Sequence, residues 1–264
     1  MSDTTRKIFY EDIGDKNKRT IIFIHGWTGD HNHAKDISLR YYEKDFRCIY
    51  VDVLGYGQSD DFEIKKGESI TMQSIDAIAN MIFELKLKQV IICGFCTGGV
   101  IGWLLGDKYP QLVDAFIWVD GYLYVDPEYR PFLIPFIRYP LYNFIFKTKL
   151  GLNIINHFVN FSDSFDPDFY NRQKTTPTRT TLSYLKDMYY MTTHNFIAKV
   201  SRFTVPSLFI IGENTMDIVK RSQNYWIGNN KFAKGAIVTK SKHLTAIENP
   251  DELNFKIREY IDIL

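Results

Sequence analysis

The segment Lys88–Phe95, KQVIICGF, runs almost without a gap into a helical pattern that begins at Thr97, and this junction constrains the fold more than any other feature of the chain. An apolar run of that length with no polar alternation reads as a strand buried on both faces, as in a parallel sheet covered by helices. Similar runs recur at Arg19–Gly26, Phe46–Val53, Val113–Gly121 and Val205–Glu213, and Ala236–His243 is expected to be the last strand. Between them, Ser69 is placed to cap a helix in which Ile75, Ile78, Ala79, Ile82 and Leu85 share one face, and Pro250–Leu264 reads as a closing helix. Strands alternating with helices predict an α/β fold with a mostly parallel central sheet flanked by helices.

The rhythm breaks between Tyr122 and about Ser201. From Tyr129 to Phe161 the chain carries many aromatics, Pro131, Pro135 and Pro140, and the bases Arg130, Arg138, Lys147, Lys149 and His157, with no acidic residue. This segment is expected to be a helical lid inserted before the last two strands. Residues 1–121 and 202–264 then form one core domain, and 122–201 the cap. The stretch Tyr129–Phe161 is the candidate substrate-binding surface, its apolar side chains closing over the site and its bases at the rim.

Net charge is +1, which offers no global attraction to nucleic acid or to an anionic membrane. No apolar run approaches the roughly 20 residues needed to span a bilayer. The start, MSDTTRKIFYED, is too polar for a secretory leader, and three cysteines do not make a disulfide framework, so a reducing, cytoplasmic setting is expected. No cofactor or metal is called for.

Gly94-Phe95-Cys96-Thr97-Gly98 sits where a G-x-[Ser/Cys]-x-G nucleophile elbow belongs, between a buried strand and a helix. The flanking glycines leave room for a strained turn. The helix N-terminus beneath Cys96 is expected to lower its pKa, and the Thr97 N–H points where an oxyanion would form. His25-Gly26-Trp27 ends an earlier strand, Asp52 to Ser59 follows the next, and His243 lies near the C-terminus.

Nucleophile first and histidine last is the chain order of α/β-hydrolase triads. With these motifs in register, the chain resembles the α/β-hydrolase family from Tyr10 to Leu264, the lid excepted. The resemblance implies Cys96 as nucleophile, His243 as general base, Trp27 as the second oxyanion N–H donor, and a structural role for His25. The acid departs from the family pattern. Gly212-Glu-Asn-Thr215 puts threonine where an aspartate commonly stands, which leaves Asp217 as the favoured acid, Asp120 as the alternative, and an acid-free dyad as a third arrangement.

A cysteine at the elbow sets the chain apart from haloalkane dehalogenases and epoxide hydrolases, which attack with a carboxylate. A thiol favours an activated carbonyl and forms a thioester intermediate. The expected activity is a thioesterase or esterase acting on an apolar acyl group. One alternative is an acyltransferase or aminoacyltransferase drawing on an acyl carrier protein or coenzyme A thioester, and another is a non-catalytic binding protein on the same scaffold.

Overall fold

The computed structural model describes residues 6–65, 67–125, 127–159, 162, 167–193 and 196–264. Its seven strands are β1 (Tyr10–Ile13), β2 (Thr20–Ile24), β3 (Arg47–Val51), β4 (Val90–Phe95), β5 (Val113–Val119), β6 (Ser207–Gly212) and β7 (Ala233–Val238). They form one sheet in the order β1-β3-β2-β4-β5-β6-β7, with β1 antiparallel to β3 and every other pair parallel. β2 and β3 are buried at every position, as a sheet covered on both faces requires.

Helices α1 (His31–Tyr42), α2 (Ile70–Glu84), α3 (Thr97–Lys108), α8 (Asp217–Asn229) and α10 (Pro250–Asp262) belong to the core. Ser69 caps α2 by accepting from the Met72 N–H, and Asp30 caps α1 by accepting from the His33 N–H. Between β5 and β6 lie a 3₁₀ segment at Pro127–Leu133, then α4 (Arg138–Lys147), α5 (Lys149–Val159), α6 (Pro167–Thr175), α7 (Thr178–Thr193) and a second 3₁₀ segment at Phe196–Arg202. The sequence rhythm breaks where these helices are inserted. Phe161, which closes the aromatic stretch, lies outside the described residues.

The last strand departs from expectation. β7 occupies Ala233–Val238, earlier than Ala236–His243, and Thr239–Lys242 turn back instead of extending it. Lys240 sits at φ 52°, and the Ser241 hydroxyl donates to the Val238 carbonyl, so the backbone leaves the sheet there. β7 is an edge strand with exposed Lys234 and Ile237, and edge positions blur the apolar run from which a strand is read.

An aromatic cluster beneath the sheet fixes the reactive end. Trp118 stacks on Phe209 at 4.7 Å and meets Trp226 edge-on at 5.5 Å, with all three side chains fully buried. The Trp118 indole N–H donates to the Cys96 carbonyl at 2.9 Å, and the Cys96 N–H donates to the Val119 carbonyl at 2.8 Å. The core therefore holds the turn between β4 and α3 directly.

Candidate active site

Cys96 stands between β4 and α3 at φ 48°, ψ −113°, a strained backbone for a residue with a side chain. Gly98 makes the turn possible: a Cβ there would lie 2.4 Å from the carbonyl oxygens of both Ile24 and His25. Gly99 is needed for a different reason, since its Cβ would come within 1.9 Å of the Trp118 ring that pins Cys96.

The N–H groups of Thr97 and Trp27 and the Tyr122 side chain act on the Cys96 thiol, each favouring its charged form. Trp27 is held by its turn. The Gly29 N–H donates to the Gly26 carbonyl, and the His25 ring bridges the Gly26 carbonyl (2.9 Å) and the Val53 N–H (3.2 Å). His25 is thereby a buried structural histidine. Asp52 steadies the same end of the sheet by accepting from the His31 N–H, the His31 ring and the Gln58 N–H.

His243 is buried in the loop between β7 and the short α9 (Thr245–Glu248). Its neighbour Thr245 donates twice to Asp120 Oδ2, from the backbone at 3.0 Å and from the hydroxyl at 2.5 Å. Asp120 Oδ1 also accepts from the Gly212 N–H at 3.3 Å. Asp120 itself follows β5 at φ 51° and is buried.

The two aspartates therefore differ in place. Asp217, favoured as the acid on sequence grounds, is the exposed first residue of α8, and Met216 before it lines the cavity instead. Thr215, at the position where the family pattern expects an acid, is buried. Asp120 is the carboxylate that shares the cavity with Cys96 and His243.

Burial governs the protonation of all three groups. It pushes the Cys96 thiol up to about 12, with the Asp120 charge adding to the rise; the Thr97 N–H, the Tyr122 hydroxyl and the Trp27 N–H pull the other way without prevailing. The helix N-terminus thus does not yield the lowered thiol pKa expected from sequence. Burial also pushes His243 down to about 4 and Asp120 up to about 8, the latter against three hydrogen bonds that favour its charged form. At neutral pH thiol and imidazole are both uncharged. Cys48 and Cys93 are buried in strands with thiols raised by burial, and all three cysteines are free.

The cavity, of about 140 Å³, is mostly apolar. From the stretch Tyr129–Phe161 it takes Tyr129, Phe146, Leu152 and Ile155. Arg130, Arg138, Lys147 and Lys149 do not line it. The Arg130 guanidinium donates to the Tyr189 hydroxyl, and the Lys147 ammonium donates to the Thr176 carbonyl. The cation in the wall is Arg172 of α6, beside the buried Gln173, whose Oε1 has no hydrogen-bond partner among the described residues.

Sequence reading missed Tyr122, Arg172 and Gln173. Only the position of Tyr122, just after the Asp120-Gly121 turn at the end of β5, could have flagged it. Among the described residues no group of three His, Cys, Asp or Glu could hold a metal, and no helix is long and apolar enough to cross a membrane.

A family profile described as the alpha/beta hydrolase fold matches residues 19–250. The chain is 37% identical over 95 residues to an AB hydrolase superfamily protein of Bacillus subtilis, a match covering 36% of this chain and 33% of that one. It is 27% identical over 115 residues to epoxide hydrolase 1 of Caenorhabditis elegans, covering 42% and 27%. The matches thus span a third or less of the length of these relatives. Among solved structures, a hydrolase from Pseudomonas aeruginosa superposes with a TM-score of 0.76 at 16% identity, over 99% of this chain and 96% of that one. A 2-hydroxy-6-oxo-6-phenylhexa-2,4-dienoate hydrolase from a Rhodococcus species does so with 0.75 at 16%, over 97% and 99%. At such identities the likeness is one of fold.

Proposed function

The chain belongs to the alpha/beta hydrolase fold family, and we propose that it is a hydrolase that opens a thioester, lactone or activated ester through a covalent acyl intermediate on Cys96. The observation that carries this reading is the convergence of the Trp27 and Thr97 N–H groups on the Cys96 thiol, in a cavity that also holds His243. Two backbone donors aimed at one reactive atom are what an oxyanion needs as it forms.

With thiol and imidazole both neutral, His243 accepts the Cys96 proton as sulfur attacks the carbonyl carbon. The oxyanion takes the N–H bonds of Trp27 and Thr97, and the Tyr122 hydroxyl offsets charge on the sulfur. The tetrahedral intermediate collapses, the leaving group departs with the proton held by His243, and a thioester remains on Cys96. Water, deprotonated by His243, then attacks the thioester and restores the thiol. We assign Asp120 a positioning role: its carboxyl accepts hydrogen bonds from the Thr245 backbone and hydroxyl and so holds the loop that carries His243. The helical insertion acts as the lid.

Transfer of the acyl group to an amine, thiol or hydroxyl is the second reading, favoured by the apolar wall, which excludes water from the thioester. A carrier-bound or coenzyme A donor would find Arg172 as the cation in the cavity wall. A purely binding role leaves the paired oxyanion donors without a use.

The deciding experiment is intact-protein mass spectrometry after mixing with short acyl thioesters. One acyl adduct is expected on Cys96, absent in Cys96→Ala and slow both to form and to decay in His243→Gln. A label on Cys48 or Cys93, or turnover that survives Cys96→Ala, would overturn the assignment.

A further inference from the structure

The outer face of the helical insertion is apolar where a surface is ordinarily polar. Phe136, in the turn before α4, is 92% exposed, and Leu150 at the start of α5 is 61% exposed. Ile137 and Phe144 stand two turns apart along α4, and Leu150 and Ile154 one turn apart along α5, so each helix shows an apolar stripe outward. Seven of the sixteen large hydrophobic side chains that are exposed among the described residues fall between Ile134 and Ile154. Single exposed hydrophobics need no explanation, whereas a concentration of this kind marks a contact surface.

Charge identifies what the surface meets. No acidic residue occurs from Tyr129 to Phe161, while Arg130, Arg138 and Lys149 belong to the same stretch as the exposed apolar side chains. The Arg138 guanidinium lies 5.1 Å from the Tyr139 ring centre, a cation beside an amphipathic ring. We infer that this face docks onto an anionic lipid surface, with Phe136 and its neighbours entering the headgroup boundary and the three bases meeting lipid phosphate and carboxylate groups. A second copy of the chain fits less well, because a two-fold contact would set the same cations against each other. No described helix can cross a bilayer, so the contact is an interfacial one. The inference does not depend on the chemistry at Cys96.

The test is co-sedimentation of the full chain with phosphatidylcholine vesicles, with and without phosphatidylserine, at low and high salt. Binding is expected to be at least about tenfold tighter with phosphatidylserine and to weaken as salt screens the bases. Phe136→Ser combined with Leu150→Ser should lower affinity for both vesicles by about tenfold or more. Arg130→Glu with Lys149→Glu should remove the phosphatidylserine preference, and circular dichroism melting checks that each variant is folded. Failure of the folded wild type to bind either vesicle overturns the inference, as does binding that ignores phosphatidylserine and salt. So does unchanged binding in the Phe136→Ser/Leu150→Ser protein. Concentration-dependent dimerisation that this variant abolishes, without vesicle binding, would assign the face to a second copy.

Discussion

Lowering the pH should withdraw a stability contribution that one identifiable imidazole makes. His243 is buried, and burial holds its pKa at about 4, against an ordinary histidine value of 6.5. The unfolded chain therefore takes up a proton below pH 6.5 that the folded chain refuses until about pH 4. Stability present above pH 6.5 is lost as the pH falls through this window. From the two pKa values, the loss attributable to His243 is about 2 kcal/mol at pH 5 and about 3 kcal/mol at pH 4. Asp120 acts in the opposite sense. Its carboxyl is raised to about 8, so the folded state keeps a proton that the unfolded state releases above about pH 4, and this contribution declines as pH rises towards 8. Urea unfolding of the wild type and of His243→Gln from pH 7.5 down to 4 separates the two, because Asp120 is present in both and cancels in the difference. The wild type should lose about 3 kcal/mol more than His243→Gln across that range. Parallel curves would refute the reasoning, since they would mean that the folded imidazole titrates as it does in the unfolded chain.

Asp120→Asn should reduce kcat/KM by about 10²–10⁴-fold, whereas Asp217→Asn, at an exposed helix start, should cost less than about threefold; steady-state kinetics that reverse this order would return the acid role to Asp217. Gly99→Ala drives a Cβ against the fully buried Trp118 and should destabilise by about 1–3 kcal/mol, lowering Tm by several degrees, with faster alkylation of Cys96 as the turn loosens. Gln173→Met replaces a buried amide whose oxygen lacks a partner among the described residues, and should raise the unfolding free energy by about 1–3 kcal/mol. A loss of stability there would show that the amide is satisfied in solution.

Much of the fold is legible in the residues because a strand covered on both faces has no polar positions to alternate. Thr20–Ile24 and Arg47–Val51 are buried throughout, and each falls inside the run that announced it. The edges of the sheet are less legible for the same physical reason. Tyr10–Ile13 is half-buried along its length in a charged context and gives no apolar run, and Ala233–Val238 is exposed at Lys234, Gly235 and Ile237. The strand-to-helix junction at Cys96 could be located because Gly94, Gly98 and Gly99 lie where backbone and the Trp118 ring leave no room for a Cβ.

Residue type and chain order bring Cys96, His243, Trp27 and Thr97 together, but they carry no information on solvent, and solvent decides the chemistry of this cavity. A helix N-terminus favours a thiolate, which is the local signal at Thr97; burial disfavours the same charge, and it dominates. The choice between aspartates turns on the same point. Asp217 is nearer to the family position in sequence, yet it begins a helix on the surface, while Asp120 ends a central strand with a positive φ and accepts hydrogen bonds from the loop that carries His243. Cys96 and Asp120 follow adjacent strands, each at a backbone angle that a side chain resists, and both line the cavity. That pairing of strained strand ends arises from the register of β4 against β5, a relation between residues remote in sequence. A site of neutral partners behaves differently from a preformed thiolate–imidazolium pair. On the proposed mechanism proton transfer accompanies attack, so the thiol would stay unreactive until an activated carbonyl occupies the two N–H donors, and soft alkylating agents should label Cys96 slowly at neutral pH.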